Sequence, residues 1–231
     1  MRFTDDAAPA PADRVMSGFF LSRLAESPWD YVSWVLIIMF SICVHEYSHA
    51  RMALRCGDDT AARAGHLTLN PLVQMGPQSM IVLALIGIAW GAVPVSPARL
   101  SRGERSLVAF AGPAANLLLA VVFAGLAVTG IRILGEAGGM GAPYLLAKAA
   151  QANATLFILN MLPIPMFDGW SVLEGAAPAL EDVRRRMGPQ LGWIVLIVVL
   201  VTPVFDFVWA GGNAFAFQIM NLWAHLIGLA A

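Results

Sequence analysis

The sequence predicts an all-α polytopic membrane protein with five to six transmembrane helices, and three observations predict it. Of 231 residues, 58% are hydrophobic and 13% charged, against about 25% charged in ordinary soluble domains, and the mean hydropathy is +0.71. The apolar residues collect into long runs, and the longest polar stretches between them are the N-terminal tail, 55–78 and 170–190, which leaves no room for a soluble domain. A net charge of −1, with Lys and Arg scattered singly or in small clusters, gives no basic surface for nucleic acid. Cys43 and Cys56 form no CxxC pair and read as free thiols. The sequence shows no internal repeat.

Residues 1–28, with Pro9, Pro11 and scattered charges, read as a tail ahead of a single membrane domain over 29–231. "VMSGFFLSRL" at 15–24 could lie on the membrane surface but lacks the length and cleavage site of a signal peptide. Trp29 to Leu54 is long enough to span. Residues 79–95 are apolar but at the lower limit for a span and end in Gly and Pro, which predicts either a full crossing or a re-entrant or short strand-like element. The runs 107–134, 144–165, 191–210 and 213–231 complete the set.

Two histidines and a glutamate interrupt the first run, in "FSICVHEYSHARMA" at 40–53. On a helix, His45 and His49 lie on one face and can offer two imidazole nitrogens to one metal ion, with Glu46 alongside to hold a water. HExxH also occurs by chance on solvated helices. Within a span, however, ionisable groups cost several kcal/mol and are tolerated mainly where they bind something or line a wet cavity.

A catalytic zinc site takes three protein ligands and a water. The other two histidines are His66, in the polar loop "AGHLTLNP", and His225, near the C-terminus; solvation and packing account for them. Asp168 is the better candidate. It sits in "NMLPIPMFDGW", where two prolines break a helix, and irregular backbone at membrane depth is tolerated where it lines a protected site.

HEYSH, "AGPAANLLLA" and "NMLPIPMFDG", in that order in three apolar segments, resemble the site-2 protease family of intramembrane zinc metalloproteases, over about Trp29 to Trp170. The resemblance implies one Zn2+ per chain held by His45, His49 and Asp168, Glu46 as general base, and Asn160 as a residue positioning substrate backbone. Asn116, in AGPAAN, matches a family asparagine and equally suits an interhelical hydrogen bond. The family's compact prokaryotic members carry a histidine and then Asp-Pro after "LTLNP"; here Gln74 and Gly76 stand in those places, and "AGHLTL" shows no obvious counterpart of a family arginine. The zinc-centre residues are intact, so the resemblance implies an active enzyme cleaving a peptide bond in or near a transmembrane helix of a membrane-protein substrate, in a prokaryotic inner membrane. Strand-like residues near "GHLTLNP" could pair with the unwound substrate.

HEYSH and Asp168 both fall near the C-terminal ends of their segments, so those ends face one side, which favours a re-entrant 79–95 with zinc nearer the cytoplasm and Gln74 near the mouth of the cleft. Counting Lys and Arg gives nine against five for either topology and does not choose between them. Two competing functions remain in view. A zinc transporter would need several metal sites along a path, and a non-catalytic binder of transmembrane helices would have no use for Glu46.

Overall fold

The structure, a computed structural model, describes residues 20–134, 141–186, 194–195, 198–199 and 202–229, and every regular element among them is helical. Most of the expected tail lies outside the described residues. From Phe20 the chain makes two short turns, Phe20–Ser22 and Arg23–Glu26, and enters α1, Pro28–Arg55, with Pro28 in the first turn where its missing N–H costs nothing.

After α1 come single turns at Thr60–Arg63 and Pro71–Gln74, the second capped by the Asn70 side chain accepting from the Leu72 N–H at 3.0 Å, and then α2, Gly76–Ile86. α2 has 11 residues and is about 16 Å long. It ends at Gly87, which takes φ +82° as a helix stop, and residues 88–96 continue without regular structure. The run 79–95 therefore does not form one spanning helix. Its second half, "AWGAVPV", supplies a glycine and a proline where a helix would have to continue. The strand-like reading of "GHLTLNP" is also corrected, because no strand occurs among the described residues; the segment is spent on turns around Gly65 and on the Asn70 cap.

α3, Arg102–Leu134, packs most extensively on α4, Ala142–Asn160, and next on α1. α5, Asp168–Ala176, and α6, Ala179–Arg186, follow a seven-residue break, and α7, Pro203–Leu226, packs on both α3 and α4. The sequence separates the last two apolar runs at Gly211-Gly212, but the helix continues through these residues, where Gly212 lets α7 close on Thr155 of α4. Residues 191–193, 196–197 and 200–201 of the 191–210 run lie outside the described residues.

Where α3, α4 and α7 meet, the core is built from small residues: Ala120, Ala124, Ala150, Ala154 and Ala216 are all fully buried beside Val128 and Met220. Such side chains let helix backbones approach closely, the mode of packing that serves where no aqueous hydrophobic drive exists. The outward faces are apolar as well as the core. On α1, Trp29, Val32, Leu36 and Phe40 face outward while Ser33, Ser41, His45, Glu46 and His49 are buried beside Ile38, Ile42 and Cys43. α3 repeats this, with Leu118, Val122, Leu126 and Ile133 outward and Asn116 inward. Exposed apolar stripes over an interior that also holds buried polar groups are what a hydrocarbon solvent selects. Two of the described helices, Pro28–Arg55 and Arg102–Leu134, are long and apolar enough to cross a membrane.

Candidate metal centre

α1 presents His45 and His49 one turn apart toward α3, with their Nε2 atoms 3.0 Å from each other. Asp168, the first residue of α5, brings Oδ2 to 3.1 Å from His45 Nε2 and 3.4 Å from His49 Nε2. The break Met161–Phe167 achieves this approach by letting the chain turn sharply between the end of α4 and the start of α5. His66 and His225 do not join the cluster.

What the three atoms can do follows from their protons. His49 Nδ1 lies 2.7 Å from the Val108 carbonyl, which can only accept, so Nδ1 carries a hydrogen, and in the neutral ring Nε2 carries a lone pair. His45 Nδ1 lies 2.5 Å from Asn116 Oδ1, an arrangement that leaves its Nε2 in the same state. In the neutral rings two imidazole lone pairs and a carboxylate oxygen then face one another, a repulsive arrangement that a cation relieves, whether a metal ion or a proton shared with Asp168. A tetrahedral zinc ion with donors at about 2.1 Å would separate neighbouring donors by about 3.4 Å, close to the spacing found. The space is open as well. A Cβ on Gly112 of α3 would lie 2.3 Å from His49 Nε2 and 2.5 Å from His45 Nε2, so only a glycine there leaves room in front of both nitrogens. The residues fit a metal.

Glu46 is buried on the neighbouring face of α1 and lines the same cleft, of about 720 Å³. Residues 88–95 run past it, and a Cβ on Gly91 would meet Glu46 Cγ at 2.3 Å. Three buried groups pin this segment. Ser79 Oγ accepts from the Trp90 N–H at 2.9 Å and donates to the Trp90 carbonyl at 2.6 Å; the Gln74 carbonyl accepts from the Ala92 N–H at 3.1 Å; Asp58 accepts from the Ser96 N–H at 2.6 Å. Arg102, Arg105, Glu174 and Arg184 form the polar part of the cleft.

Of the remaining sequence candidates, Asn160 ends α4, lines the cleft and donates to the Leu156 carbonyl at 3.0 Å. Asn116 reaches His45. Gln74 is not at the cleft mouth: it is buried, with Nε2 donating to the carbonyls of His66 and Thr68 at 2.8 and 2.6 Å, and so organises the loop that precedes α2. Sequence reasoning missed Val108, Gly91 and Ser79, which carry no motif. Gly112 lies inside AGPAAN and could have been singled out there.

The profile of peptidase family M50 matches residues 33–133. YwhC of Bacillus subtilis strain 168, named as a zinc metalloprotease, is 32% identical over 198 residues, covering 82% of this chain and 90% of its own. The chain belongs to peptidase family M50. Rip2 of Mycolicibacterium smegmatis, also named as a zinc metalloprotease, is 35% identical over 193 residues, covering 78% of this chain and 72% of its own; Rip2 of Mycobacterium tuberculosis H37Rv is 34% identical over 178 residues, at 73% and 66%. No solved structure matches. This M50 peptidase, a member of the site-2 protease family, is a zinc metalloprotease, and the cluster of two imidazoles and one carboxylate could hold its metal ion.

Proposed function

We propose that the protein is an intramembrane protease that hydrolyses a peptide bond in or near a transmembrane helix of a membrane-protein substrate, as a step of regulated intramembrane proteolysis in a prokaryotic inner membrane. The observation that carries this is a zinc-type donor set and a carboxylate opening on one cleft, within helices whose outward faces are apolar. In this reading His45, His49 and Asp168 hold one zinc ion. Zinc supplies Lewis acidity to a peptide carbonyl and acidifies water. Glu46 takes the proton of the attacking water and hands it to the leaving amine. Asn160 positions substrate backbone from the end of α4, and the irregular segment 88–95 offers main-chain groups to an unwound substrate. Arg102, Arg105 and Arg184 keep one part of the cleft wet.

Residues 29–231 form one membrane domain behind the tail 1–28, with α1, α3, α4 and α7 as the spans that the described residues supply, fewer than the five to six expected, and 56–101 as a re-entrant excursion. Support comes from α1 and α4 both ending at the metal centre while α3 starts there, so the chain leaves and re-enters on one side. α2 is too short to cross. That side carries Arg51, Arg55, Arg63, Arg99, Arg102, Arg105 and Arg184, as a cytoplasmic face does. The test is purified protein assayed for zinc and for cleavage of a model transmembrane peptide, wild type beside Glu46→Gln. Stoichiometric zinc with cleavage in the wild type alone supports the reading, and equal behaviour of the two proteins overturns it in favour of a helix-binding protein.

A further inference from the structure

Behind His45 a line of buried polar side chains crosses from α1 to α4 and returns through α3. Ser41 Oγ lies 2.7 Å from the Ile37 carbonyl; Asn153 Nδ2 lies 2.9 Å from both Ser41 Oγ and the Ala149 carbonyl; Asn116 Nδ2 lies 2.9 Å from Asn153 Oδ1; and Asn116 Oδ1 meets His45 Nδ1. Ser41, Asn116 and Asn153 are each 0% exposed, so water cannot replace any member. Ser41 and His45 are one turn apart on α1, and the line closes on the helix it left.

Its direction is fixed from one end. A backbone carbonyl only accepts, so the single Ser41 proton goes to Ile37 and Ser41 Oγ must accept from Asn153. The Asn153 amide nitrogen then serves Ser41 and Ala149 with its two hydrogens, because an oxygen in its place would face the Ala149 carbonyl with nothing between. Asn153 Oδ1 is left for Asn116, which must answer with its own N–H. Asn116 therefore has only its carbonyl to offer His45, and His45 must carry its hydrogen on Nδ1. We infer that Asn153, with Ser41 behind it, is a positioning residue that sets the orientation of the Asn116 amide and thereby the tautomer of His45, keeping Nε2 free to bind metal.

This inference rests on His45 being a zinc ligand, and the experiment separates the two. Zinc affinity is measured by competition with a chromogenic chelator, for purified protein in nanodiscs. Asn153→Leu, branched at Cγ like asparagine but with no hydrogen-bonding group, frees the Asn116 amide to turn, and affinity should fall about ten- to a hundredfold, the usual effect of losing an outer partner of a ligand histidine. Adding Asn116→Asp should win much of that back, because a carboxylate accepts from His45 Nδ1 in either orientation. The proton spectrum of zinc-loaded, 15N-histidine-labelled protein should show a slowly exchanging Nδ1–H of His45 in the wild type and the double variant, and fast exchange in Asn153→Leu. Should Asn153→Leu not fold, Asn153→Ala carries the same expectations. Wild-type affinity in the Asn153 variant, or no recovery in the double variant, overturns the inference. Full zinc binding by His45→Ala would instead overturn the ligand assignment beneath it.

Discussion

The two sides of α1 at the metal centre are built differently. Toward α3, His45 and His49 meet a helix: Gly112 leaves room at their Nε2 atoms, while Val108 and Asn116 take their Nδ1 hydrogens. Away from it, Glu46 meets the irregular segment 88–95, with Gly91 against its Cγ. A helix in a close-packed interface cannot shift one residue without moving its neighbours. The segment hangs on a handful of hydrogen bonds and can give. Metal binding and proton transfer should therefore fail separately, according to which side is disturbed.

The largest effect tests the helix side. Gly112→Ala puts a methyl in front of both nitrogens, and His45→Ala, His49→Ala or Asp168→Ala removes a ligand; each should leave the protein without zinc by elemental analysis and without turnover. A zinc-replete Gly112→Ala protein would break the comparison. Next comes Glu46→Gln, which should keep zinc and lower turnover by about two to four orders of magnitude. Gly91→Ala should also keep zinc, with kcat down about ten- to a hundredfold because the segment moves and Glu46 with it. Loss of zinc there would mean that the two sides are one rigid unit.

The smallest effect concerns the anchors of the segment. Burial pushes the Asp58 carboxyl up, but the Thr60 hydroxyl, the Ser96 and Thr60 N–H groups and Arg99 outweigh it and hold the group below its ordinary value. Its stabilisation is therefore complete above the unfolded value of about 3.9 and fades as pH falls through the lower folded one. Asp58→Asn should lower the melting temperature by about 2–4 °C at pH 7, with a gap that is constant upward from about pH 5 and closes in acid. A gap that widens in acid would mean that the anchor works unionised.

HEYSH and Asp168 could be read in the sequence because ionisable groups in apolar runs demand a reason, and a four-residue spacing supplies one. The small-residue core was not legible in the same way, because Ala120, Ala124, Ala150, Ala154 and Ala216 are alanines within apolar runs and carry no motif. Gly211-Gly212 misled because the same residue type ends helices and lets them pack, and only the neighbouring helix tells which. Gln74 misled for a different reason: the re-entrant topology placed its loop at the mouth of the cleft, whereas its amide is consumed by two backbone carbonyls. Gln74→His should accordingly cost stability, since an imidazole cannot donate twice along those directions, and leave the pH–rate profile unchanged. Asn153 left no trace, because a lone asparagine in an apolar helix has many uses and its partner stands 37 positions away.

The Val108 carbonyl has a consequence for how such a protein can change over generations. A peptide oxygen is the same whatever side chain residue 108 carries, so mutation at that position leaves the acceptor for His49 in place. The grip on His45 passes through side chains at 41, 116 and 153, each encoded and each replaceable. In the proposed zinc site, substitution thus reaches the partners of one histidine readily and the partner of the other hardly at all.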